Sequence, residues 1–227
     1  MSLYQECQKA VAAHDGLLFS THLAESEEEM EMFRDGSGAL FEFLKSIGRD
    51  MADCGRTTPL ARFLDILNSN QPNQPSQWLV VHLNELSDSD LKLLGRLESK
   101  FPLVHCPRSH RYFGHCPFRF EQLRDLGFNI CLGTDSLASN DNLDLFEEMR
   151  RFSELHPNTS YRDIVEMVTI NSARALHQEN LLGQIYTGSY ADLIAIADPR
   201  KNDAFESIVG HSGPIHWSMI GGVAAES

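Results

Sequence analysis

The sequence has no long hydrophobic run, no closely paired cysteines and no basic cluster. Each absence excludes a class of function. A membrane-spanning helix needs about 20 consecutive apolar residues, and no stretch approaches that length. The opening residues, MSLYQECQKAVAAHDG, lack the basic start and apolar centre of a secretory signal. The five cysteines, Cys7, Cys54, Cys106, Cys116 and Cys131, are scattered and form no C-x-x-C pair. They read as free thiols in a reducing compartment, which points to the cytoplasm and away from a disulfide frame or zinc ribbon. Acidic side chains outnumber basic ones 32 to 19, leaving a formal net charge of −13. Phosphate-backbone binding depends on Lys and Arg, so neither nucleic acid nor an anionic membrane surface is expected as a partner. The zinc-hydrolase signatures H-E-x-x-H and P-C-x-x-C are missing too, and there are no repeats or low-complexity segments.

What remains is ordinary globular composition: 227 residues, 42% hydrophobic and 22% charged, enough for one large core or a domain with a small appendage. Leu3, Cys7, Ala10 and Val11 recur at helical spacing and predict an amphipathic N-terminal helix. Four apolar runs read as buried strands: GLLFSTH (16–22), WLVVH (78–82), PLVHC (102–106) and FNICLGTD (128–135). Helical patterns lie between and after them, at 38–48, 58–68, 88–100 with Ser87 as N-cap, 118–128 ending at Gly127, 141–155 and 160–176. A polar, proline-bearing loop is expected at 68–77. Strands alternating with helices imply a parallel α/β arrangement, and near-continuous apolar strands imply a sheet covered on both faces. Beyond about residue 181 the pattern changes to two short β-like runs around TGSYAD and a last strand with a Gly-Gly turn, a separate small β element.

Polar residues sit where these strands end. The first ends in His22, the second in His82 and the fourth in Asp135, while His105 lies one residue before the end of the third. Strand C-termini of a parallel sheet lie on one side, so such residues converge however distant they are in sequence. Taken singly, each has a bland reading. A strand-end histidine is more often a structural hydrogen-bonder, Asp135 could cap a turn, and Glu25 could be an acidic residue in a helix's first turn. Together, imidazoles and a carboxylate suit Zn²⁺ or Fe²⁺, and a free glutamate beside such a metal suits proton transfer.

The segments STHLAES, VVHLNELSDSDLKLL, VHCPRSH, LGTDSLASNDNLDLFEEMR and TINSARAL…GQIYTGSYADLIAIADP occur in an order that resembles the amidohydrolase superfamily. The likeness is to its branch of cytosine and guanine deaminases, S-adenosylhomocysteine deaminases and triazine chlorohydrolases, and it runs nearly the whole chain. The resemblance implies an α/β fold: the C-terminal half of a metal-dependent (β/α)8 TIM barrel, strands 5–8, with part of a small β-sandwich. Residues 1–180 are then a half-barrel catalytic region and 181–227 the C-terminal strands of the sandwich. It implies His22 and Asp135 as metal ligands, Glu25 as proton shuttle, and His82 as the residue that orients water or polarises the substrate. Asp135 would also take the proton of the water. The implied reaction is attack by metal-activated hydroxide on a cyclic amidine or N-heterocycle of purine, pyrimidine or triazine type, with zinc, or alternatively iron, as cofactor and a small molecule as partner.

The chain departs from that family in three respects. None of its ten histidines are two apart, so the family's strand-1 His-x-His is absent. Four strands are found where a barrel has eight. The segment HCPRSH ends in His110 where the family usually carries asparagine. The expectation is therefore an incomplete site with metal lost or weakly bound, and exposed sheet edges that favour self-association or a complementing N-terminal half. The alternative is a catalytically inactive half-barrel acting as an interaction module.

Overall fold

The computed structural model describes residues 17–70, 77–198 and 203–225, with Tyr4, Glu6, Cys7, Lys9 and Ala10. The predicted N-terminal helix rests partly on Leu3 and Val11, which lie outside the described residues, as do residues 71–76 of the polar loop. In chain order the first elements are β1 (Phe19–Leu23), α1 (Glu27–Asp35), α2 (Ala39–Ser46), α3 (Pro59–Asn70), β2 (Trp78–His82) and α4 (Asp88–Gly95). Next come β3 (Leu103–His105), α5 (Pro107–Phe113), α6 (Phe120–Asp125), β4 (Ile130–Leu132), α7 (Leu145–Leu155), α8 (Tyr161–Val168) and α9 (Ile170–Ala175). The last are β5 (Leu193–Ala195), α10 (Ala204–Val209), β6 (Trp217–Ile220) and β7 (Val223–Ala225).

All four expected strands form, in one sheet of order β1-β2-β3-β4. β1 and β2 pair in parallel with Phe19 opposite Trp78 and Leu23 opposite His82, and Val80 and Val81 pair in parallel with Leu103 and Val104. The Leu103 N–H donates to Asn129 O and the Gly133 N–H to His105 O, both at 2.9 Å, which carries the ladder on to β4. A second, antiparallel sheet has the order β5-β6-β7. Gly221 and Gly222 join β6 to β7 with φ of 57° and 83°. Two left-handed residues are what a two-residue hairpin turn requires, and glycine adopts them without steric cost.

The chain divides into two compact units, Met1–Val104 with Gly114–Asn129 and His105–Phe113 with Ile130–Ser227. The first unit is built on aromatic side chains. Phe63 meets Trp78 edge to face at 5.5 Å between ring centres and Phe101 at 6.1 Å, and Phe101 meets Phe128 at 5.3 Å. Tyr4 reaches this cluster, 5.3 Å from the Trp78 ring, while its hydroxyl bonds Thr21 Oγ1 at 2.9 Å. In the second unit Ile130, Leu132, Met149, Phe152, Ile164 and Met167 are all buried. Burying each such side chain contributes roughly 1.5–3 kcal/mol.

The structure departs from the expected elements at several places. Residues 107–113 form a helix, α5, where no helical pattern was read, starting on Pro107, whose fixed φ suits a first helical position. Residues 204–209 form α10, capped by Asp203, whose carboxylate accepts from Phe205 N–H at 2.8 Å and Glu206 N–H at 3.4 Å. The helix expected over 160–176 is broken at Thr169, with φ −120° and ψ −97°. Gly183 packs against this break with φ 81°, and a Cβ there would lie 2.8 Å from both Ile170 Cα and Thr169 O. Finally, Gln184–Tyr186 is not a strand, so β5 alone precedes the hairpin.

Candidate active site

In the first unit β1 and β2 run in parallel, so His22 and His82 hang from neighbouring strand C-termini. Their rings lie 5.0 Å apart, with planes tilted by 42°. His82 is buried and His22 exposed, so one imidazole is fixed by packing and the other faces solvent. The chain then turns sharply. Ala24, His82 and Leu83 have φ of 49°, 81° and 52°, a left-handed conformation uncommon outside glycine. Hydrogen bonds hold the two turns together: Leu83 N–H to Leu23 O at 3.0 Å, Glu85 N–H to Ala24 O at 2.9 Å, and Asn84 Nδ2 to Glu25 O at 3.2 Å. Backbone strain of this kind costs about 1–3 kcal/mol per residue and clusters at functional sites.

Glu25 follows directly. Its Oε1 lies 3.5 Å from His82 Nε2. Its backbone N–H donates to Glu29 Oε2 at 2.8 Å, and the Ser26 hydroxyl accepts from Glu29 N–H at 3.3 Å to cap α1. Glu29 thus anchors Glu25 to the first helical turn. Desolvation pushes the Glu29 carboxyl up to about 6, against the pull of the Glu25 and Ala24 N–H groups, and the neighbouring Glu25 charge adds to the rise. Glu29 was missed from the sequence, although Ser26-x-x-Glu29 is the spacing of a helix-start motif.

The structure therefore brings His22, His82 and Glu25 together in the first unit. Asp135 belongs to the second unit, in the loop after β4, with φ 57°. Its Oδ2 accepts from the Ser109 hydroxyl at 2.6 Å and from the Ser139 hydroxyl at 3.2 Å. On the adjacent residue of α5, the Arg108 N–H donates to Glu148 Oε2 at 2.9 Å. Glu148 is fully buried on α7. Desolvation raises its carboxyl to about 7, opposed by the Arg108 N–H and guanidinium and reinforced by the Glu147 and Asp135 charges. His105, considered in the sequence, packs in the interior with its ring 5.3 Å from His110 and 6.2 Å from Phe152.

The donor chemistry fits a metal ion. Imidazole nitrogen is a donor that zinc takes at about 2.1 Å, and the exposed His22 ring offers one beside the buried His82 ring. A model of the amidohydrolase family matches residues 2–223. The chain belongs to the amidohydrolase family. It is 33% identical over 184 residues to a 5-methylthioadenosine/S-adenosylhomocysteine deaminase of Teredinibacter turnerae, covering 77% of this chain and 36% of that protein. It is 36% identical over 130 residues to a 5'-deoxyadenosine deaminase of Methanosarcina mazei, covering 54% of this chain and 29% of that protein. Among solved structures, the aminofutalosine deaminase of Helicobacter pylori superposes with a TM-score of 0.78 at 24% identity, over 98% of this chain and 55% of that one. A zinc-bound adenosine deaminase from Xanthomonas campestris superposes with a TM-score of 0.73 at 22% identity, over 97% of this chain and 48% of that one. These two matches show that the fold is that of amidohydrolase structures. The amidohydrolase chain described here thus spans about a third of the length of its curated relatives and about half that of the solved structures.

Proposed function

We propose that this chain carries part of the active site of a metal-dependent amidohydrolase that deaminates a purine-type nucleoside. The observation that carries the reading is the His22–His82 imidazole pair at adjacent parallel strand ends, with Glu25 3.5 Å from His82 Nε2. His22 and Asp135 hold the ion, zinc by preference, with iron allowed by the same donors. A bound ion of this kind supplies Lewis acidity, which lowers the pKa of water towards about 7. Asp135 accepts the proton that water gives up. His82 donates a hydrogen bond that orients the water or the ring, and its burial keeps its direction fixed. Glu25 delivers a proton to the departing nitrogen, so water and an aminopurine become an oxopurine and ammonia. The deaminase names of the relatives support a nucleoside substrate, while dechlorination and amide hydrolysis use the same groups.

The architecture that goes with this reading is the C-terminal half of a (β/α)8 barrel over residues 1–180, with sandwich strands over 181–227. Catalytic zinc takes three protein ligands, and the sequence has no His-x-His to add to His22 and Asp135. That absence favours a second reading, in which the chain is a silent or complementing half whose partner supplies the remaining imidazoles. Elemental analysis of protein purified without chelators tests both. About one zinc or iron per chain, lost in His22→Ala, supports a working site, and ammonia release from 5'-methylthioadenosine is then expected. Near-zero metal overturns the first reading for this chain alone. Recovery of metal and activity on co-expression with an N-terminal half supports the second.

A further inference from the structure

We propose that Ser109 is a positioning residue for Asp135, and that Glu148 sets where Ser109 stands. The inference rests on the reading of Asp135 as metal ligand and proton acceptor. Asp135 needs outside support. It lies in a loop rather than in a strand or helix, with a left-handed backbone, and the terminal torsion of an aspartate is soft. The Ser109 hydroxyl donates to Oδ2 at 2.6 Å, within the roughly 2.5–2.7 Å typical of a hydroxyl donating to an ionised oxygen. Ser139, from the same loop as Asp135, donates to the same oxygen at 3.2 Å. Two hydroxyls thus donate to one oxygen, Oδ2.

Ser109 is itself held by its helix. Pro107 has no N–H, so the first donor of α5 is Arg108 N–H, one of the groups a helix start leaves without an internal partner. It is satisfied by Glu148 Oε2 at 2.9 Å. Glu148 is an expensive way to cap a short helix. It is 0% exposed, and its Oε1 has no hydrogen-bond partner among the described residues. A buried polar atom left unsatisfied costs about 1–3 kcal/mol and calls for an explanation. Fixing the start of α5, one residue before the group that orients Asp135, supplies that explanation.

The bland alternative is that Ser109 and Glu148 only stabilise the second unit. Crystal structures and zinc titrations of the full chain, wild type against Ser109→Ala and Ser109→Thr, separate the two. The inference expects the Asp135 carboxylate to rotate away in the alanine variant while the fold of the second unit is kept. It also expects zinc affinity to fall about tenfold or more, the usual effect of losing a group that orients a ligand, and the threonine variant, which keeps the hydroxyl, to restore both. An unmoved carboxylate in Ser109→Ala overturns the inference whether or not zinc binds. Where wild type binds zinc, unchanged affinity in that variant overturns it as well. Wild type that takes up no zinc while Asp135 rotates in the variant sinks the metal reading and leaves the positioning role standing. If Ser109→Ala does not fold, Glu148→Leu serves in its place, with a displaced α5 start and a rotated Asp135 expected, and an unmoved Asp135 counting against the inference.

Discussion

Glu148 and Glu29 are acids whose protonation the fold alters, and Glu148 gives the sharper expectation. Its carboxyl is raised from 4.5 to about 7, chiefly by desolvation. A group raised in the folded state contributes stability that is complete below pH 4.5 and is lost as pH rises through about 7. Glu148→Gln cannot ionise, so it should gain on wild type between pH 5 and pH 8, by at most about 3 kcal/mol at about 1.36 kcal/mol per pH unit. Urea unfolding at both pH values checks this, and a gap that does not change with pH would contradict it. His22 and His82 were legible because an apolar run that stops at a polar residue is visible in the sequence, whereas the fourth run was read through to Asp135 and its strand ends at Leu132. Glu148 was not legible, because Glu147 and Glu148 together look like an ordinary acidic first turn. Which of them turns inward is decided by packing; only the spacing from Glu148 to buried Phe152, one helical turn on, hinted at it.

At the scale of elements, Ser87 caps α4 as expected, and the cap is reciprocal. Ser87 Oγ accepts from Asp90 N–H at 3.2 Å, and Asp90 Oδ2 accepts from Ser87 N–H at 2.9 Å. Asp90 does more than close its own helix. It is fully buried and also accepts from the Thr58 hydroxyl, which in turn accepts from Ala61 N–H at 3.1 Å to cap α3. One carboxylate therefore ties the starts of two helices. Ser87→Ala should cost about 1 kcal/mol, the usual loss of a cap. Asp90→Ala should cost about 2–4 kcal/mol, since it strips buried donors of their acceptor. Denaturant midpoints of the two variants test the ranking, and equal shifts would refute it. The strands were readable because each is an uninterrupted apolar run. α5 was not, because PRSHRYF carries no apolar period, and the break at Thr169 was hidden because VEMVTINSARAL continues a helical pattern through it.

At the scale of the whole molecule, the family was legible because five segments stand in the right order, although the chain covers about a third of its relatives' length. The division into two units was not, since it interleaves: residues 105–113 group with the segment after 130, and nothing in composition marks such an exchange. β1 and β4 are the outer strands of the parallel sheet, and Ile194, Ile220 and Val223 on the antiparallel sheet are exposed. β4 is buried and its Ile130 O accepts from Asn171 Nδ2 at 3.1 Å, so the exposed apolar side chains of the antiparallel sheet are what invites pairing with another chain. Sedimentation velocity on the isolated chain should show a mass that rises with concentration above 25.6 kDa; a constant monomer would count against association. Gly183 has a further consequence. With Ile170 and Thr169 pressed against it, the position tolerates no side chain for reasons of space alone. What glycine supplies there is room for a broken helix and not a reacting group.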